Sequence, residues 1–286
     1  MTPARRLALL LCLPAAAASA GACGGLASLV ADAGRPPVFV DREMPFEQQS
    51  LTLHLGRPGT DGGRPLVVYM TGDGGWFGRS ADMFHAIVRL GYPAVGISAR
   101  EYMRVERRRH APVSPGDVAA EYQAVAAEAE RALALPPSTT VVLAGWSRGA
   151  SFAVIAAAEP RLRARVRGVV VFALTDRERL NLPIVGEAGD VSWPSAGAGG
   201  LDPYQLLPRL APIRCAVIQA EEDAYVPSGA ARRLIGPDGP FLRLFPILGT
   251  GHRFGGADRA FVDALTEALA WVAPAPSRLA PARPAA

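Results

Sequence analysis

The chain is poor in several residue types whose abundance would define a protein class. Three cysteines in 286 residues (Cys12, Cys23 and Cys215) exclude a disulfide-built scaffold. Aromatic residues make up 7% and charged residues 20%, within the range of an ordinary globular chain. Basic charge is carried by arginine, and the formal net charge is only +4 despite a pI near 9.3. That small excess gives no case for nucleic-acid binding. No Gly-Lys-Ser/Thr follows any glycine-rich loop, which excludes a Walker-type phosphate site. No cofactor and no metal set is expected.

Long apolar runs are also missing, except at the amino terminus. There Arg5 and Arg6 precede an apolar core from Leu7 to Leu13, and small residues end in Ala18-Ser19-Ala20. This three-part pattern is that of an export signal, and its core is too short to span a bilayer. Cleavage is expected after Ala20, with lipidation at Cys23 as the alternative, although the preceding residues make a poor lipobox. Either way the expected location is periplasmic. Cys12 would leave with the signal. Cys23 and Cys215 could pair in number, but a free buried Cys215 in a strand is the preferred reading.

What is abundant is punctuation: 30 glycines and 26 prolines imply many connections. Residues 1–20 read as signal, 21–48 as linker and lead-in, 49–273 as one α/β domain, and 274–286 as a disordered Pro/Ala-rich tail. The strand expectations are 50–55 (an edge strand), 64–70, 93–98, 139–145, 166–174, 213–220 and 241–247. Helical periodicity follows residue 78, and a helix opens at Ser114-Pro115-Gly116-Asp117 with a capping serine, a proline and an acid. Further helices follow Ser147 and span 258–272. The Gly/Pro-rich stretch 178–212 is a candidate cap segment. Short apolar strands alternating with helices predict a mainly parallel central sheet with helices on both faces. The chemistry then belongs at the carboxyl ends of the strands.

One turn draws attention there. In "VVLAGWSRGAS" a strand runs into Gly145-Trp146-Ser147-Arg148-Gly149, with glycines flanking a serine where a sharp strand-to-helix turn tolerates no side chain. If Ser147 is a nucleophile, an acid and a base must follow in that order. Asp223 sits in "EEDAYVP" after the strand 213–220, with Glu222 as fallback acid. Of the four histidines, only His252, in "LGTGHRF", follows both serine and acid, in the loop after the last strand. Imidazole takes the hydroxyl proton during attack, and the carboxylate holds the imidazole tautomer. For the oxyanion, Thr71-Gly72-Asp73-Gly74-Gly75-Trp76 follows the strand 64–70. Backbone N–H groups from Gly72, Asp73 and Gly74 can pair there with that of Arg148. A carboxylate beside an oxyanion is unfavourable, so Asp73 is expected to point away, anchoring the loop or meeting a cationic substrate group.

Together "YMTGDGGW", "SPGDVAAEY", "VVLAGWSRGA", "EEDAYVP" and "GTGHRF" resemble the bacterial virulence protein VirJ/AcvB family of α/β-hydrolases, over residues 64–272. The resemblance implies an α/β-hydrolase fold, with Ser147, Asp223 and His252 as triad and Gly72 to Gly75 as the motif loop. It also implies a periplasmic carboxylic-ester hydrolase working near the membrane, with lysyl-phosphatidylglycerol-like lipids as substrates, or a link to type IV secretion. Three departures stand out. The second cysteine that family members often carry after the acid is absent, so no local bridge to Cys215 is expected. Arg253 stands where a second histidine often follows the base, and "RVERRRH" (104–110) is unusually basic.

Two classes of function follow. One is an exported serine esterase acting on an aminoacylated phospholipid, with a general small-ester esterase as its variant. In it Arg104 and Arg107 of the basic loop would hold a lipid phosphate. Asp73 or Glu222 would meet the amine, and Trp76 would contact substrate. The other is a non-catalytic accessory that uses the fold to bind a secretion-system or envelope protein.

Overall fold

The computed structural model describes residues 26–30, 35–46, 49–60, 63–106, 113–178, 180 and 200–274. The signal segment, Cys23, Arg107 and the tail beyond residue 274 lie outside the described residues, as does most of the candidate cap.

Among the described residues eight strands form one sheet: β1 (Val38–Phe46), β2 (Gln49–Arg57), β3 (Leu66–Met70), β4 (Ala94–Ile97), β5 (Val141–Trp146), β6 (Val166–Phe172), β7 (Arg214–Ala220) and β8 (Leu242–Ile247). Their spatial order is β1-β2-β4-β3-β5-β6-β7-β8. β1 and β2 form an antiparallel hairpin and β2 pairs antiparallel with β4, whereas every other pairing is parallel. The helices are α1 (Arg79–Arg89), α2 (Ala99–Glu106), α3 (Pro115–Leu133), α4 (Arg148–Ala158), α5 (Pro160–Arg163), α6 (Pro203–Leu206), α7 (Ser228–Ile235) and α8 (Asp258–Val272).

The parallel strands read as continuous apolar runs because both faces are covered. Alternate residues of β3 go opposite ways. Leu66, Val68 and Met70 join a core with Tyr122 and Val125 of α3 and Phe152 of α4. Val67 and Tyr69 join a second core with Phe84 of α1 and Phe261 of α8. Helix α3 starts as its sequence dictates. The Ser114 hydroxyl accepts from the Asp117 amide at 3.2 Å, and the Asp117 carboxylate accepts from the Ser114 amide at 2.9 Å.

Three expectations need correction. The lead-in 21–48 is not simple linker: a short 3-10 turn, Leu26–Leu29, buries Leu26 against the second core, and β1 occupies 38–46. Consequently β2 is not the edge strand, because β1 covers it. β1 escaped because its residues from Val38 to Glu43 are exposed, so no alternation marks it. Third, Arg104 lies on α2 rather than in a loop. Within 178–212, the described part contains α6, a 3-10 turn at Leu207–Leu210, and a bridge between Glu178 and Leu201.

Candidate active site

β5 delivers Ser147 into a conformation that L-residues rarely adopt, with φ 55° and ψ −119°. Such a residue stores about 1–3 kcal/mol of strain, which the surroundings must hold in place. They do so by contact. The Ser147 amide donates to Phe172 O at 2.9 Å, and its carbonyl accepts from Ala150 and Ser151. A Cβ on Gly149 would lie 2.1 Å from Met70 O, and one on Gly145 would lie 2.2 Å from Gly149 O. Both glycines are therefore required by backbone crossing at van der Waals distance. The Ser147 side chain makes no capping bond to α4, and Ser147 lines the cavity at the strand ends.

Asp223 and His252 meet as the chain order requires. His252 Nδ1 lies 2.9 Å from Asp223 Oδ2 and 3.1 Å from Oδ1. A carboxylate only accepts, so Nδ1 carries the proton and Nε2 is left as the basic nitrogen. Asp223 is buried and further held by the amides of Tyr225 (2.9 Å) and Val226 (3.4 Å) and by Gln219 Nε2 (3.2 Å). Gln219, wholly buried on β7, also donates to Val226 O at 2.6 Å and accepts from the Leu174 amide at 3.0 Å. It was not foreseen, since a lone glutamine in an apolar strand carries no motif.

The neighbouring acids fasten the histidine loop. Glu221 accepts from the Gly249 amide at 2.9 Å, and the Glu222 amide donates to Thr250 O at 2.9 Å. Trp146 Nε1 donates to His252 O at 3.1 Å. Among the described residues no hydrogen bond joins Ser147 Oγ to the imidazole, although both line the same cavity.

The glycine loop between β3 and α1 abuts the serine. A Cβ on Gly72 would lie 3.1 Å from Ser147 Cβ. The Gly75 amide closes a turn on Gly72 O at 3.0 Å, with Gly75 at φ +83°. Thr71 Oγ1 accepts from the Ala99 amide at 3.0 Å and donates to Gly72 O at 3.1 Å, tying the loop to α2. Asp73 is clamped twice. Its carbonyl accepts from Arg100 Nε at 3.1 Å, and its carboxylate Oδ1 lies 2.7 Å from Arg148 Nε. Glu178 Oε1 lies 3.7 Å from the same Arg148 Nε. So the side chain of Arg148, 8% exposed, holds the loop, a role beyond the backbone N–H that its place after Ser147 predicts. That amide lies in the first turn of α4, where helical amides have no carbonyl inside the helix to bond.

Ser147 and His252 open into a cavity of about 930 Å³. Of the residues expected at the substrate, Asp73, Trp76 and Arg104 line it. Glu222 is exposed and does not, and Asp223, not Glu222, takes the acid's place beside the histidine. Trp76 stacks on His54 of β2, with ring centroids 3.7 Å apart and planes 7° apart. Tyr225, 65% exposed, stands 4.7 Å from the His252 ring. Arg100, Arg253 and Tyr225 also line the cavity and were not anticipated as substrate contacts. Each is unremarkable in sequence: Arg100 reaches the site from the first turn of α2, and Tyr225 and Arg253 from the loops after β7 and β8. Among the described residues no group of His, Cys, Asp and Glu could hold a metal ion, and no helix is long and apolar enough to cross a membrane. Cys215 is free and buried on β7.

The sequence over residues 65–235, more than half of the chain, matches the family described as bacterial virulence protein (VirJ). The chain belongs to the VirJ family. No curated protein sequence matches it. Solved structures similar to this VirJ-family chain include a Klebsiella pneumoniae protein assigned as a dienelactone hydrolase. It is 16% identical, with a TM-score of 0.59 over 83% of this chain and 99% of that one. A hyperthermophilic esterase from Pyrobaculum calidifontis is 19% identical, with a TM-score of 0.54 over 85% and 86% of the two chains. Thermogutta terrifontis esterase 2, solved phosphorylated by paraoxon, is 18% identical, with a TM-score of 0.51 over 82% and 93%. At these identities the likeness shows the fold, which is that of the α/β-hydrolases.

Proposed function

We propose that this VirJ-family chain is a serine hydrolase of carboxylic esters. The observation that carries the reading is His252, backed by buried Asp223, lining one cavity with a serine held at positive φ. In this reading Ser147 Oγ attacks the ester carbonyl carbon as its proton passes to His252 Nε2. The carbonyl π pair moves onto oxygen, where the Arg148 amide and an amide of the Gly72–Gly74 loop receive it. Collapse breaks the acyl–alkoxy bond, and His252 returns the proton to the departing alcohol. Water then attacks the acyl-serine with His252 again as base, releasing the acid and restoring the hydroxyl. Asp223 stays ionised throughout and stabilises the imidazolium.

The substrate we propose is the aminoacyl ester of an aminoacylated phosphatidylglycerol, lysyl-phosphatidylglycerol by family resemblance. Arg104 in the cavity lining supports the phosphate half of that molecule. The amine half has less support. The Asp73 carboxylate is engaged by Arg148, Glu222 is off the cavity, and Glu101, the other lining carboxylate, accepts from Thr52. We also propose that the protein works in the periplasm, with the amino-terminal pattern as the support.

A second reading is a non-catalytic accessory that binds a secretion-system or envelope protein, favoured by the lack, among the described residues, of a hydrogen bond from Ser147 Oγ to His252. One experiment separates the two. Paraoxon or a fluorophosphonate should label the wild-type chain at Ser147 and leave Ser147→Ala unlabelled, and the variant should lose hydrolysis across a panel of lipid and small esters. An unlabelled wild type, or undiminished hydrolysis by Ser147→Ala, would discard the catalytic reading.

A further inference from the structure

The cavity lining carries charge of a definite sign. Among the described residues four arginines line it: Arg79, Arg100, Arg104 and Arg253. Arg79 is neutralised by Asp258 at 2.6 Å. The other three have no carboxylate within ion-pair distance among the described residues, and Arg100 spends only its Nε, on a carbonyl. The two carboxylates of the lining among the described residues are already committed, Asp73 to Arg148 and Glu101 to the amide and hydroxyl of Thr52. Arg100 and Arg104 stand four residues apart on α2 and so share a helix face, while Arg253 comes from the loop after β8, next to the base. Separate elements thus bring guanidinium groups to one concave space that also holds Ser147. A solvated arginine face on a single helix would not do this. Guanidinium groups offer forked donors matched to phosphate oxygens, and a concave wall strengthens their field.

We propose that Arg100, Arg104 and Arg253 form an anion subsite, so that the ester taken by Ser147 is selected by a phosphate elsewhere in the molecule and not by positive charge on its acyl group. This rests on the esterase reading above and narrows its substrate class. A phospholipid headgroup and a water-soluble phosphate ester present the same chemistry to the subsite.

The test uses the full chain and matched substrates: hexanoyl and 6-aminohexanoyl esters of glycerol and of glycerol 3-phosphate. The phosphate esters should be hydrolysed with kcat/KM at least tenfold above their glycerol counterparts, and adding the amine should change kcat/KM less than threefold. In Arg104→Gln/Arg253→Gln the preference for phosphate should fall by about tenfold or more, as loss of charge-assisted bonds implies. A second pair of arms compares acylated phosphatidylglycerol in phosphatidylcholine vesicles with the soluble phosphate ester. Faster turnover of the vesicle ester identifies a lipid headgroup as the occupant, and faster turnover of the soluble ester a free phosphate; either supports the subsite. Equal rates on phosphate and neutral esters, or a marked gain from the amine, overturn it while leaving the esterase reading intact. Titration of glycerol 3-phosphate into wild type and the double variant by calorimetry reads the subsite without turnover. Binding weakened about tenfold in the variant supports it, and absence of binding to wild type overturns it.

Discussion

Asp73 Oδ1 lies 2.7 Å from Nε of Arg148, and this pair joins the glycine loop to the residue that follows the nucleophile. The two backbone segments that would supply oxyanion donors are thereby held at a set separation by one side-chain contact. Small misplacements of such donors are costly to rate, because they act on charge present only in the transition state. Asp73→Asn and Arg148→Met are each expected to lower kcat by about ten- to a hundredfold, with KM changed much less. The double variant should be little worse than either single one, since both remove the same contact. Steady-state kinetics on a small ester with all three variants checks this.

The glycines near the serine are expected to differ sharply in tolerance. A methyl on Gly149 would meet the Met70 carbonyl at 2.1 Å, so Gly149→Ala should destabilise the fold by about 1–3 kcal/mol or more. A methyl on Gly74 would meet only the Phe77 ring, at 3.8 Å, so Gly74→Ala should change stability by less than about 0.5 kcal/mol. Urea unfolding of the two variants side by side gives the comparison.

Asp223 and Gln219 should fail in different ways. Asp223→Asn removes the acceptor that fixes the His252 tautomer, and kcat should fall on the order of 10³–10⁴ with the fold intact. Gln219→Leu leaves the Leu174 amide and Val226 carbonyl without their buried partner. Here stability should fall by about 1–3 kcal/mol. Measuring unfolding midpoint and rate on both variants distinguishes the roles; an equally unstable Asp223→Asn would contradict the assignment.

Cys215 is buried on β7, and desolvation pushes its thiol up to about 12. The thiolate is the reactive form, so at pH 8 the folded chain should leave Cys215 unmodified by iodoacetamide, and urea should expose it to rapid alkylation. Mass spectrometry of the peptide containing Cys215 reads the difference.

Much of the architecture was legible because its causes are local. The apolar runs of β3, β5 and β6 announce strands covered on both faces, and the Ser114–Asp117 capping box announces the start of α3. β1 was not legible, since an exposed edge strand carries no burial pattern and owes its existence to β2 beside it. Arg104 reads as a loop residue for a related reason. Helix α2 is only eight residues long and runs directly from a strand end, so its periodicity is too brief to register.

The sequence by itself determined the strand-turn-helix around Ser147, the requirement for glycine at 145 and 149, and the chain order of serine, acid and base. These depend on backbone sterics and on the parallel topology that short apolar strands impose. Tertiary structure alone decided that Asp73 turns onto Arg148, that Gln219 backs Asp223, that Glu222 stays outside, and that Arg100, Arg104 and Arg253 share a cavity. Those partners are distant in the chain and leave no periodic trace. Their contacts exist only once the sheet has ordered its strands and brought the loops at their carboxyl ends together.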